Sequence, residues 1–119
     1  MKKNKKILYV DMDGVLVDFQ SGIDALSKDD FKKYENRYDE APNIFSLMNP
    51  IKDAISSFNL LSRYFDTYIL STSPWNNPTA LQDKQNWVKK HIGKVAEKRL
   101  IFSHHKNLNK GHFLIDDRT

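Results

Sequence analysis

Three short apolar runs punctuate an otherwise polar chain, and each runs straight into acidic or hydroxylic residues. Ile7-Leu8-Tyr9-Val10 ends on Asp11, Thr67-Tyr68-Ile69-Leu70 on Ser71-Thr72-Ser73, and Phe113-Leu114-Ile115 on Asp116-Asp117. Continuous runs of this length, rich in β-formers, suit parallel strands covered on both faces better than alternating, half-exposed ones. A weaker fourth strand is read from Arg99 to Ser103. Between the runs the period changes. Ile51, Ile55, Phe58 and Leu61 recur at helical spacing behind Pro50, which suits a first helical turn. A second helix is read from about Pro78 to His91, with Leu81, Trp87 and Val88 on its apolar side and Gly93 just past its end. Strands alternating with helices predict an α/β domain with right-handed crossovers.

The stretch 19–49 breaks this alternation. It is polar and aromatic, with Phe31, Tyr34, Tyr38 and Phe45 among several charges, and it follows directly on the first strand's turn. An insertion there lies over the carboxyl end of the sheet, where ligands bind in open α/β folds. It is read as a small, mostly helical cap on a single domain whose core spans about 5–18 and 50–119. The plainer alternative is a long connection carrying surface helices.

Composition narrows the classes. A chain of 119 residues fits one domain, and 39% hydrophobic residues make it globular rather than disordered. The net charge of +4 invites a nucleic-acid reading, but Lys2, Lys3, Lys5 and Lys6 supply four charges, and the remaining 15 basic residues match the 15 acidic ones. The excess is a short tail on a neutral body, ordinarily a solvated flank, so no nucleic-acid partner is expected. The absence of cysteine excludes a disulfide framework, a thiolate nucleophile and thiolate zinc sites. No run approaches the roughly 18 apolar residues that span a bilayer, so a soluble, cytoplasmic protein without a membrane partner is expected. The oligomeric state is left open, a homodimer included.

The chemistry concentrates at the strand ends. In Asp11-Met12-Asp13-Gly14-Val15, residues i and i+2 of a strand share a side, so Asp11 and Asp13 converge, and Gly14 lets the chain turn away. Asp116-Asp117 repeats the arrangement. Four carboxylates at one sheet edge repel one another unless a cation or lysines intervene. Oxygen donors without cysteine favour Mg²⁺. Taken alone, Asp-x-Asp-Gly is also a calcium loop or a plain turn, but the strand before it and the second acidic strand end argue against both. Ser71-Thr72-Ser73-Pro74, a hydroxylic turn between strand and helix, suits an anion such as phosphate. Lys106, ten residues before Asp116, and Lys84, early in the second helix, are the candidate cations.

These residues, in this order, resemble the haloacid dehalogenase superfamily of phosphohydrolases, through Asp11-Met12-Asp13-Gly14-Val15, Thr72, Lys106 and Asp116-Asp117. The finer pattern looks like the 5′(3′)-deoxyribonucleotidases, on Val10 through Phe19, Ser71-Thr72-Ser73-Pro74, Lys84 followed by Trp87-Val88, and Leu114-Ile115-Asp116-Asp117-Arg118. The resemblance implies a Rossmann-like three-layer α/β/α parallel sheet with the cap inserted after the first strand. It implies a Mg²⁺-dependent phosphatase acting on nucleoside monophosphates. Asp11 is then the nucleophile and Asp13 the general acid and base. Mg²⁺ is held by Asp11, the Asp13 backbone carbonyl and Asp117, with Asp116 orienting these groups or taking Asp117's place. Thr72, Ser73, Lys84 and Lys106 bind phosphate, and Phe19 lies where the family places an aromatic against the nucleobase, with Phe45 or Tyr38 completing the wall. His104 and His105 are read as surface or packing residues. The family also carries a strand after the Asp-Asp pair, while this sequence stops at Thr119, so a truncated sheet is expected. The alternatives are a phosphatase of another small ester, such as a sugar phosphate, and a phosphate-binding module without turnover.

Overall fold

The apolar runs become strands almost where the pattern places them. The computed structural model describes residues 4–117; Lys2, Lys3 and Arg118 lie outside that range. In chain order the elements are β1 (Ile7–Val10), β2 (Val17–Asp18), the short helices α1 (Phe19–Asp24) and α2 (Lys28–Lys33), and β3 (Asn49–Pro50). Then come α3 (Ala54–Leu61), β4 (Asp66–Ser71), α4 (Ala80–His91), β5 (Leu100–Phe102) and β6 (Phe113–Ile115). Four strands form one sheet in the order β5-β4-β1-β6, every pair parallel. This is the α/β architecture that the sequence predicts. Parallel pairing has a functional consequence: all four strands end at one edge, which brings Asp11, Thr72, Ser103 and Asp116 together there.

The two faces of the sheet are covered differently. The steps from β1 to β4 and from β4 to β5 run in the same direction, so right-handed crossovers put α3 and α4 on one face. Leu8, Val10 and Ile69 of that face share a core with Phe58 of α3 and Trp87 and Val88 of α4. The return from β5 to β6 crosses the opposite face. It is the segment 103–112, whose only helical turn is the 3-10 turn Lys106–Leu108. Gly111 lets it pass close to β1, where a Cβ would press on the Tyr9 ring. Among the described residues this crossover forms the third layer in place of a helix.

Three expectations need correction. The Phe113-Leu114-Ile115 run is a strand, but an exposed one: β6 is a sheet edge, and Phe113 and Leu114 keep 49% of their surface. Pro50 does not open a helix. It pairs with Val17 across the β2–β3 ribbon, the Ile51 N–H is bound to the Leu16 carbonyl at 2.9 Å, and α3 starts only at Ala54. On α4 the buried stripe is Ala80, Lys84, Trp87 and Val88, whereas Leu81 is 55% exposed. The stripe includes a lysine because the sheet edge supplies it with partners, as a buried charge requires.

The antiparallel ribbon of β2 and β3 brackets residues 19–48. Within them Ala41, Ile44, Phe45 and Met48 are buried in the common core, and the Trp87 indole N–H donates to the Met48 carbonyl at 2.9 Å. Burying each large side chain contributes roughly 1.5–3 kcal/mol, which holds this polar segment to α4.

Candidate active site

Asp11 is the first residue beyond β1. Its backbone N–H donates to the Ile115 carbonyl at 2.9 Å, which continues the β1–β6 pairing and sets Asp11 beside Asp116. Its carboxylate Oδ1 accepts from the Met12 N–H at 2.8 Å and from Lys106 Nζ at 3.0 Å. Burial pushes the Asp11 carboxyl above its ordinary range, while Lys106 pulls it down and Asp116 adds to the upward push.

The chain then doubles back sharply. The N–H groups of Val15, Leu16 and Val17 all donate to the Met12 carbonyl, and Gly14 takes a φ of 78°. A side chain at position 14 would be strained there, and it would also collide with Asp117 Oδ2. Gly14 therefore makes the turn and keeps the seat of Asp117 clear.

Asp13 lies just past the strand, and its Oδ2 pairs with Lys84 Nζ at 3.3 Å. Its Oδ1 is buried and has no hydrogen-bond partner among the described residues. Burial raises the Asp13 carboxyl, against the attraction of Lys84 and Lys106 and with the repulsion of Asp117. Lys84 is fully buried at 0% exposure and also donates to Ser71 Oγ at 2.8 Å and to the Thr72 carbonyl at 2.7 Å. Its ammonium sits 4.4 Å from the centre of the Phe45 ring. Burial lowers the Lys84 amine, with Asp13 opposing.

Asp11, Asp116 and Asp117 each offer a carboxylate oxygen, and the three lie within 4.8 Å of one another. The edge is thus a ring of acids bounded by two lysines, one buried in α4 and one on the 103–112 crossover. Of the anion-binding candidates, Ser73 is buried and Thr72 half-buried. The Thr72 hydroxyl donates to the Ser103 carbonyl at 2.9 Å, so a phosphate would have to draw that proton away.

Two residues do more than the sequence reading gave them. His104 is exposed, but its Nε2 lies 2.7 Å from the Ser73 carbonyl and braces the turn after β4; His105 is exposed. Asn77 donates to the Asp39 and Ala41 carbonyls at 2.8 and 3.0 Å, and Thr79 Oγ1 accepts from the Asn43 N–H at 2.7 Å. Together they tie the turn after Ser73 to the inserted segment. The Asn76-Asn77-Pro78 run marks a turn, but its long-range partners are not readable from sequence. Phe45 has no free face for a base: it is 1% exposed, with Phe19 edge-on at 5.9 Å and Lys84 above it. Tyr38 packs on Phe31 at 5.4 Å, and Phe19 remains half-buried. A cavity of about 760 Å³ between α4 and residues 93–102 holds none of these groups.

Comparison with known proteins gives a consistent result. Residues 28–119 match the family described as 5′ nucleotidase, deoxy (pyrimidine), cytosolic type C protein. A protein of Vibrio phage KVP40, assigned as a 5′(3′)-deoxyribonucleotidase, is 61% identical over 99% of this chain and 69% of its own length. The human cytosolic-type 5′(3′)-deoxyribonucleotidase is 28% identical over 99% of this chain and 73% of its own. In structure the chain resembles a haloacid dehalogenase-like hydrolase of Streptococcus pneumoniae, with a TM-score of 0.51 and 18% identity, over 83% of this chain and 61% of the other.

Proposed function

Because the chain belongs to the 5′(3′)-deoxyribonucleotidase family, phosphomonoester hydrolases on a haloacid dehalogenase-like fold, we propose that it dephosphorylates (deoxy)ribonucleoside monophosphates with Mg²⁺ through an aspartyl-phosphate on Asp11. The observation that carries the mechanism is the unequal pairing of two neighbouring acids. Asp11 is held at Oδ1 by the Met12 N–H and by Lys106, with Asp116 also interacting with its carboxyl, whereas Asp13 keeps a buried Oδ1 with no hydrogen-bond partner among the described residues. A half-buried carboxyl with a raised pKa and one buried, unsatisfied oxygen is suited to carry a proton.

In the first step an Asp11 carboxylate oxygen attacks phosphorus and the bond to the leaving oxygen breaks. The electron pair goes to that oxygen, which takes the proton held by Asp13. In the second step water attacks the aspartyl-phosphate and gives its proton to Asp13. Phosphate leaves, and Asp11 is restored as a carboxylate. Lys106 and the backbone N–H of Ser73 neutralise the phosphate oxygens, Thr72 joins them once its hydroxyl leaves Ser103, and Lys84 assists from α4 while holding Asp13 in place.

The metal's donor set fits. Asp11, Asp116 and Asp117 supply clustered carboxylate oxygens, the Asp13 backbone carbonyl adds another oxygen, and no cysteine competes. Such a set suits a hard divalent ion that keeps several waters, which is the habit of Mg²⁺. Asp11, the Asp13 carbonyl and Asp117 would hold it, with Asp116 orienting them. When bound, the ion offsets the repulsion between these acids and an incoming phosphate dianion.

The substrate is thus a small nucleotide, Phe19 remains the candidate contact for its base, and residues 19–49 act as the cap. We place this work in the cytoplasm, in line with the cytosolic type of the human relative; among the described residues no helix is long and apolar enough to cross a membrane. Phosphate release from dUMP, dTMP and deoxyribose 5-phosphate, with Mg²⁺ and with chelator, tests the reading. Mg²⁺-dependent turnover of the nucleotides is expected. Preference for the sugar phosphate moves the substrate class, and tight binding without release makes the protein a binding module.

A further inference from the structure

The fold leaves one large aromatic unused beside the site. Trp75 is 86% exposed, the highest exposure of any large hydrophobic side chain described, whereas the other tryptophan, Trp87, is buried at 3%. A single exposed apolar side chain is ordinary in itself, but an indole left in water beside an anion-binding turn offers a large flat face to a ligand there.

Its position says which. Trp75 is a central residue of the turn closed by the Asn77 N–H on the Pro74 carbonyl at 3.1 Å. Two residues back is Ser73 of the anion-binding turn, and two residues of chain span at most about 7 Å. Two residues on is Asn77, which ties the turn to the inserted segment through the Asp39 and Ala41 carbonyls. Both ends of the turn are anchored, so the exposed indole is carried on a fixed base. His104 holds it from the side: the two rings meet nearly edge-on at 5.5 Å and 73°, and the same imidazole is bonded to the Ser73 carbonyl. A single imidazole therefore couples the position of the indole to the turn that receives phosphate. Meanwhile Phe45 is buried and offers no face to a ligand.

We infer that Trp75 is a specificity-determining residue, whose indole stacks on the nucleobase of the leaving group at the rim of the phosphate site, with His104 as its positioning residue. The inference rests on the nucleotidase reading above. It adds the group that distinguishes a base-bearing ester from a bare sugar phosphate. Aromatic stacking tolerates any base, since each has a π-face, so Trp75 selects for the presence of a base and not for its identity.

Two measurements test this. Steady-state kinetics of Trp75→Ala and Trp75→Phe compare dTMP with deoxyribose 5-phosphate. For Trp75→Ala the KM for dTMP should rise about tenfold with kcat changed less than about twofold, the range expected for loss of one stacked base, while the sugar phosphate is unaffected. Trp75→Phe should keep most of the affinity. An unchanged KM for dTMP, or an equal loss on both substrates, overturns the inference; the latter would mean the turn is merely damaged. The second measurement needs no turnover. Thymidine should protect the exposed indole of the wild type from acrylamide quenching and deoxyribose should not, with buried Trp87 as the internal control. Equal quenching with and without thymidine overturns the proposal. Absence of nucleotide turnover in the wild type would instead count against the nucleotidase reading, and the quenching result would still decide the stacking.

Discussion

The two lysines of the site pair with neighbouring acids, Lys84 with Asp13 and Lys106 with Asp11, yet they belong to very different parts of the molecule. Lys84 projects from α4 with no exposed surface, gives its protons to Ser71, the Thr72 carbonyl and Asp13, and lies against Phe45. Lys106 sits on a 3-10 turn of the crossover and donates to Asp11 Oδ1 at 3.0 Å. The first is fixed by the core and by a segment bound to that core through Asn77, Thr79 and Trp87. The second, with Asp116 and Asp117, is carried by an exposed edge strand and a loop. One side of the site is therefore set in the buried core, and the other, the more adaptable, is carried on a loop and a partly exposed strand.

This contrast is open to breaking. The largest effect is expected at the shared centre: Asp11→Asn should lower phosphate release at least about 10³-fold, as for an essential covalent group, with an unchanged circular dichroism spectrum. Retention of more than about 10% of the rate removes Asp11 from the nucleophile's role.

Next come the lysines, which should separate activity from stability. Lys106→Met should cost about 10²-fold in activity and only about 1 kcal/mol in stability, because the largely buried Asp11 it leaves behind, already raised by burial, can take up a proton. Lys84→Met should cost activity and also about 2 kcal/mol of stability, below the ~3–5 kcal/mol of a fully buried pair because Asp13 can take up a proton. Equal melting temperatures for the two variants would erase the distinction between the two sides.

The metal should stabilise the adaptable side. Raised Asp11 and Asp13 carboxyls mean that the metal-free folded state binds more protons than the unfolded chain between the ordinary value of 3.8 and their raised values. Their contribution to stability is thus greatest at and below 3.8 and falls as the pH rises through that window. Above it both acids are ionised, and Mg²⁺ should raise the melting temperature, by an amount equivalent to about 2.7 kcal/mol at a hundredfold excess over Kd. Differential scanning fluorimetry should show the Mg²⁺ shift shrinking as the pH is lowered into the window, and vanishing in Asp117→Asn. A shift that Asp117→Asn retains would take Asp117 out of the metal site. The smallest effect belongs to Asn77→Ala, which removes two hydrogen bonds between the turn and residues 39–41, each worth roughly 1 kcal/mol. Urea unfolding should register a loss of about 1–2 kcal/mol, and no loss would mean that these two bonds do not help to hold the inserted segment.

What was legible in the sequence follows the same division. Strands β1 and β4 could be read because a parallel strand needs a continuous apolar run, and the acids after β1 and the hydroxyls after β4 stood out against it. The place of Lys106 at the same sheet edge followed from its spacing before Asp116 once parallel strands were assumed, whereas its bond to Asp11 was not legible. The β2–β3 ribbon was not legible, since two residues per strand carry no period. The burial of Lys84 was hidden because a lysine in a helix pattern reads as solvent-facing, and only the sheet edge supplies the partners that draw it inward. The exposure of β6 was not readable from the run itself, because an apolar run looks the same at a sheet's centre and at its edge. Asn77 and His104 escaped for another reason: each acts through a backbone carbonyl about thirty residues away, which no local pattern encodes.

The central claim is that Asp11 carries the phosphoryl group. Acid-quenching the enzyme during turnover of dTMP with Mg²⁺, followed by peptide mass spectrometry, tests it directly. The account predicts one phosphoryl group on the peptide containing Asp11, absent from Asp11→Asn and accumulated when Asp13→Asn slows its hydrolysis. Steady turnover with no phosphoryl group on that peptide, or with the label on another residue, would contradict it.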